Sequence, residues 1–165
     1  MTEQHDIERK FWRALHSDRT VMLGLRNVHG GHAQPMTVVF TDDDSRGPFY
    51  IFTSKDTDLA RALGDGAGAT IHFASKGHDL FAAIDGQLEP YNDRATIDQL
   101  WNPYVAAWFE GGKSDPKLLL LRFEPADALV WLNDNSFFAG IKLLLGRDPK
   151  REYADKVADL DLSRR

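Results

Sequence analysis

Punctuation constrains this chain more than any single motif does. Turn-forming clusters rich in Gly, Pro, Asp and Ser fall at 27–31, 42–48, 64–68, 75–79 and 110–116. Breakers so closely spaced leave apolar stretches of strand length, with room for a few short helices. Residues 20–26 alternate on Val21, Leu23 and Leu25, and 32–41 reads as the return strand. Pro35 near the start of that return places it at a sheet edge or a bulge. Further strands are predicted over 49–53, 69–74, 80–89, 118–124 and 129–133, the last two joined through Pro125. Ile7, Phe11, Ala14 and Leu15 recur at helical spacing. Shorter helices are predicted over 56–63, over 96–109 with an interruption at Pro103, and over 137–145 before Gly146. Six strands in hairpins with helices between them predict a mainly β fold, a small antiparallel β-barrel with flanking helices. Such barrels hold a ligand at a mouth or a subunit seam.

The length, 165 residues, suits one domain with its own core, placed over 1–146. Residues 147–165 are mostly charged and read as a surface helix or a partly disordered tail. The net charge is -5, from 20 basic and 25 acidic residues, and no basic face stands out, so nucleic acid is not an expected partner. Without cysteine, disulfides, thiolate catalysis and zinc–thiolate sites are excluded. The N-terminus is polar, and no apolar run approaches the roughly 20 residues that span a bilayer. The expectation is a cytoplasmic protein that does not enter a membrane.

The stretch 49–59 carries the most chemistry. Its apolar strand breaks into Ser54, Lys55, Asp56, Thr57 and Asp58 before a helix begins at about Leu59. Hydroxyls, a cation and fresh helical N–H groups at one corner suit an anion, most often a phosphate. Ser54, Asp56 or Thr57 serves equally as an ordinary N-cap, and local features leave both readings open. Gly64-Asp65-Gly66-Ala67-Gly68-Ala69 has the letters of a dinucleotide fingerprint, but it follows a helix and precedes a strand, the reverse of what that motif requires. Gly112-Lys113-Ser114 fails as a P-loop, because Ala107 fills the first glycine position and Trp108-Phe109 are too bulky for a phosphate cradle. The six histidines lack paired metal-ligand spacing, so no metal is expected. Trp101, Trp108 and Trp131, with Tyr104, Phe109 and Phe137, build either a slot for a flat ligand or a core. No residue declares itself catalytic.

Several of these stretches together resemble the pyridoxamine 5'-phosphate oxidase-like FMN-binding split barrels, in particular their general stress protein branch. The carriers are 33–37, 52–58, 75–81, 101–116 and Val130-Trp131-Leu132, within 11–146. The resemblance implies a six-stranded antiparallel split barrel. It also implies a homodimer with FMN at the subunit interface, FAD being the alternative flavin. It places Gln34, Pro35, Met36 and Thr37 beside the flavin ring and ribityl chain. Phe52, Thr53 and Ser54 would lie under the ribityl and phosphate. Lys55, Thr57, Asp58 and Leu59 would receive the phosphate, Trp131 would approach the ring, and Lys76 would contribute from the seam.

Three departures from the family pattern matter. Gln34 stands where the family usually has arginine, and Leu59 where a basic residue is frequent. Charge-assisted bonds to phosphate are the stronger kind, so their loss weakens FMN binding unless Lys55, Arg61 or Lys76 compensates. Residues 132–140 contain no basic side chain, where true pyridoxamine phosphate oxidases hold substrate. The expected function is therefore a flavin-binding general stress protein without pyridoxamine phosphate oxidation. An FMN-dependent oxidoreductase using NAD(P)H and a cofactor-free dimeric interaction module are the alternatives.

Overall fold

Amphipathic spacing brings the first helix onto the sheet. In the computed structural model, which describes residues 3–133 and 156–163, α1 spans Glu3–Ser17. Ile7, Phe11, Trp12 and Leu15 are buried along one face, and the helix packs on strands from the second half of the chain.

One antiparallel sheet holds seven strands: β1 (Thr20–Leu25), β2 (Gln34–Thr37), β3 (Phe49–Ser54), β4 (Ala67–Ala74), β5 (Leu80–Pro90), β6 (Leu118–Leu132) and β7 (Val157–Asp161). Their order is β2-β1-β4-β5-β6-β3, with β7 added on β6. Strands β2 and β3 therefore stand at the two ends of the path. Between them the described residues form one isolated bridge, in which Val39 and Tyr50 exchange N–H···O bonds of 2.7 and 2.9 Å. The sheet curls without closing, and the result is a split barrel. Pro35 sits in the terminal strand β2, where its missing N–H costs no ladder bond to an outer neighbour.

Short helices occupy the crossings. α2 (Asp58–Leu63) follows β3, and Gly64 (φ 56°) and Gly66 (φ 148°) turn the chain into β4, so the glycine-rich hexapeptide is a helix-ending turn over 64–66 and the first residues of β4 after it. α3 (Arg94–Leu100) and α4 (Pro103–Ala106) lie between β5 and β6. Pro103 divides them as its rigid ring requires, and Asn102 caps the second by accepting from Val105 N–H at 3.0 Å.

Two expectations are corrected. The strands predicted over 118–124 and 129–133 are one strand, β6. Pro125 pairs with Gly86 and is tolerated there because the β5–β6 register shifts beside it, with Ala126 as the extra residue of a bulge. Gly86 permits the close approach, since a Cβ there would lie 2.6 Å from Phe123 Cζ and would collide with the Glu124 carbonyl. The charged C-terminal stretch is not a surface helix or tail over 156–163. It forms β7, and Ala158, Leu160 and Leu162 are buried. Alternation with Asp159 and Asp161 hides a strand period inside a charged composition. The helix predicted over 137–145 and residues 147–155 lie outside the described residues.

Most of the core is one cluster between α1, α2 and the sheet, in which Phe11, Phe49 and Phe123 are fully buried. A second, smaller cluster of Tyr50, Ile97, Leu100, Phe109, Leu118 and Leu120 lies under α3 and α4.

Candidate functional site

The split in the barrel is a cleft. Its volume is ≈ 870 Å³, within the usual range of small-molecule sites. One wall is Pro35, Met36 and Thr37 of β2 with Val39. The other is Phe52, Thr53 and Ser54 of β3, followed by Thr57. Tyr104, Val105, Trp108 and Phe109 form the rim, and Asn102, Asp115 and Lys117 come from the same segment. Arg19 and Thr20 close the far side.

Strand geometry explains the aim of these side chains. Val39 and Tyr50 fix how the ends of the sheet face each other, and Ser54 pairs with Leu118 at the last rung of β3–β6. Phe52 meets Trp101 edge-on at 6.1 Å, and Trp101 tilts against Phe109 at 6.5 Å. Trp101 thus backs the aromatic wall that Phe109 and Trp108 present. Tyr104 and Trp108 are each 86% exposed, an unusual cost for large aromatic surfaces.

At the polar end, Thr57 caps α2: its Oγ1 accepts from Ala60 N–H at 3.2 Å and donates to the Ser54 carbonyl at 3.0 Å. The Ser54 hydroxyl donates to Asp56 Oδ1, and Lys117 Nζ lies 3.6 Å from Asp56 Oδ2. The Ser54 bond, aided by the Lys117 charge, holds the Asp56 carboxyl below the ordinary value of 3.8. Asp115 is held below its ordinary value by the backbone N–H groups of Lys117 at 2.9 Å and Gly111 at 3.0 Å. Arg19 anchors through Nε, which donates to the His16 carbonyl at 3.2 Å.

Of the residues predicted for the site, Pro35, Met36, Thr37, Phe52, Thr53, Ser54 and Thr57 line the cleft together. Gln34 stands next to them on β2, opposite Leu23. Lys55 is exposed, and its N–H donates to the Lys117 carbonyl at 2.8 Å. Asp58 points to solvent and pairs with Arg61 at 3.1 Å. Leu59 is only 1% exposed and belongs to the main core. Lys76 lines a separate groove with Lys10 and Arg13, and Trp131 sits on β6 opposite Phe81. The cations at the cleft are Arg19 and Lys117, not the compensators expected from sequence. Each stands just before a strand, where a lone charge carries no pattern. No group of three or more His, Cys, Asp or Glu among the described residues could hold a metal.

An open antiparallel barrel with a ligand-sized cleft at its split defines the class: this is a split-barrel protein. The family described as pyridoxamine 5'-phosphate oxidase like matches residues 6–150. General stress protein 26 of Bacillus subtilis (strain 168) is 28% identical over 127 residues, covering 75% of this chain and 87% of the relative. The general stress FMN/FAD binding protein of Xanthomonas citri is 54% identical, with a TM-score of 0.73 over 79% of this chain and 92% of that one. General Stress Protein 26 of Bacillus anthracis shares the fold, with a TM-score of 0.61 at 18% identity over 76% of this chain and 93% of that one. The chain belongs to the pyridoxamine 5'-phosphate oxidase-like family and is similar to its general stress protein 26 members.

Proposed function

We propose that this protein binds FMN in the cleft at the barrel split, as a general stress flavoprotein. One observation carries the reading: the cleft joins a flat-ligand wall of Met36, Phe52, Val105 and Trp108 to a polar end with Ser54, Thr57 and Lys117. A tricyclic ring needs the first, and a phosphate monoester needs the second. The Xanthomonas relative, described as an FMN/FAD binding protein, supports a flavin and leaves FAD as the alternative. Bound flavin supplies hydride or single-electron chemistry. The chain's own residues orient the ring and neutralise the phosphate.

A homodimer is part of the proposal. Met22, His72, Ala83 and Leu129 form one cross-sheet row on the outward face, and Phe81 and Trp131 form the next. Met22, Phe81 and Leu129 are large apolar groups left exposed. A second copy seated there would bury them and would bring its Lys76 and Trp131 toward a seam. No helix among the described residues is long and apolar enough to cross a membrane. The absence of a basic residue over 132–140 argues against pyridoxamine phosphate oxidation.

The direct test is titration of FMN with purified protein. Flavin fluorescence should quench and saturate at equimolar chain, and the colour should co-elute with a dimer. Unquenched fluorescence at high protein concentration sinks the reading. Anaerobic NADPH then asks whether the bound ring accepts hydride: bleaching marks an oxidoreductase, and a lasting yellow colour marks a carrier.

A further inference from the structure

We propose that Asp56 sets the affinity and selectivity of the cleft, because its carboxylate occupies from within the chain the donors that a ligand phosphate would use. The inference rests on the flavin reading above and adds a residue to it. Ser54 and Lys117 both line the cleft, whereas Asp56 stands behind it at the β3–α2 corner. The Ser54 hydroxyl is committed to Asp56 Oδ1, and Lys117 Nζ is 3.6 Å from Asp56 Oδ2. Thr57 is committed too, since its hydroxyl both accepts from Ala60 N–H and donates to the Ser54 carbonyl. Arg19, anchored through Nε alone, keeps the remaining guanidinium donors.

A phosphate makes the same demand as a carboxylate: anionic oxygens that accept from a hydroxyl and an ammonium group. Two anions at one hydroxyl and one ammonium repel each other, so a phosphate must displace Asp56 or bind beside it at a cost. Asp115, which lines the cleft, sets a second carboxylate beside Lys117. The phosphate of FMN therefore gains less from Ser54 and Lys117 than it would if Asp56 left both of them free. Asp56 is 55% exposed on its side chain, so it is free to swing into water when a phosphate arrives. The corner works as an internal competitor and narrows the preference for a flavin that carries a phosphate.

The experiment measures FMN and riboflavin by fluorescence quenching, first on the unaltered protein and then on Asp56→Asn. The proposal expects the unaltered protein to prefer FMN to riboflavin by less than about tenfold. In Asp56→Asn, FMN should tighten about tenfold, the scale of one charge-assisted contact that Lys117 then gives to the phosphate alone, while riboflavin stays unchanged. Equal shifts in both ligands overturn the proposal, because the residue then acts through the shape of the corner. Unchanged or weaker FMN binding overturns it as well. A protein that binds neither flavin before any substitution refutes the flavin reading itself, a result distinct from both. Should Asp56→Asn melt early, Asp56→Ser is measured instead, with the same expected split between the two flavins.

Discussion

The two apolar clusters of this protein are held by different means. The main core lies under long backbone ladders: β5 pairs with β4 along one edge and with β6 along the other, and Phe123, Ile84 and Leu88 between them are fully buried. The small cluster under α3 and α4 has no ladder above it. Its cover is fastened by side chains: Asp93 accepts from Thr96 N–H at 3.0 Å, Asp98 pairs with Lys113 at 2.9 Å and Arg94 at 3.2 Å, and Asn102 caps α4. The cleft's aromatic rim stands on this second cluster. Its ligand wall is therefore attached to a cover held by side chains and not by ladders, the kind of segment from which binding elements are generally drawn.

Deleting a side chain from each cluster gives the largest contrast. Phe123→Ala should cost about 3–5 kcal/mol, because the sheet and α1 cannot collapse onto the void. Leu100→Ala should cost about 2 kcal/mol, the lower end for such a change, because α3 can settle. Urea unfolding of both variants checks the order. Equal losses would mean that the two clusters unfold as a single unit and would break the comparison.

Capping comes next. Asn102→Ala removes the acceptor for Val105 N–H and should cost about 1 kcal/mol. Amide exchange should speed over 93–117 and stay unchanged in β4 and β5. A uniform rise across the chain would contradict a separately held rim.

Acid probes the same rim. Asp93, Asp98 and Asp115, like Asp56, are held below the ordinary 3.8. The causes are the Thr96 hydroxyl for Asp93, Lys113 for Asp98, backbone amides for Asp115 and Ser54 for Asp56. Because each folded value is depressed, the stability it adds is present above the unfolded value and is lost as pH falls through the folded one. Acidification below 3.8 should thus release 93–117 before the ladders, and exchange corrected for intrinsic rates should show it.

Much of this division was legible in the residues. Alternation at Val21, Leu23 and Leu25 and the turn clusters dictate the hairpin order, and Pro35 announces the end of the sheet. The family resemblance picked out 35–37 and 52–54, which the split brings face to face. β7 was hidden because its burial period is two while its composition is charged. β6 reads as two strands because a proline looks like a break unless the bulge beside it is known. Arg19, Lys117 and Asp115 were missed for a different reason: their place at the cleft depends on cross-chain register, which no local window contains. Leu59 was read as a weakened phosphate contact, yet its side chain points into the core.

The smallest effect on stability separates wall from fold most cleanly. Trp108 is 86% exposed, so Trp108→Ala removes little buried area and should shift unfolding by about 0.5 kcal/mol or less. On the flavin reading the same change strips an aromatic face from the cleft and should weaken FMN about tenfold, the scale of one stacking contact. Lost affinity with an unchanged melting point would show that the rim is carried by the fold without supporting it. A protein that melts early after this substitution would make Trp108 part of the frame, and the contrast between the ladder-held core and the side-chain-held rim would fail at its most exposed residue.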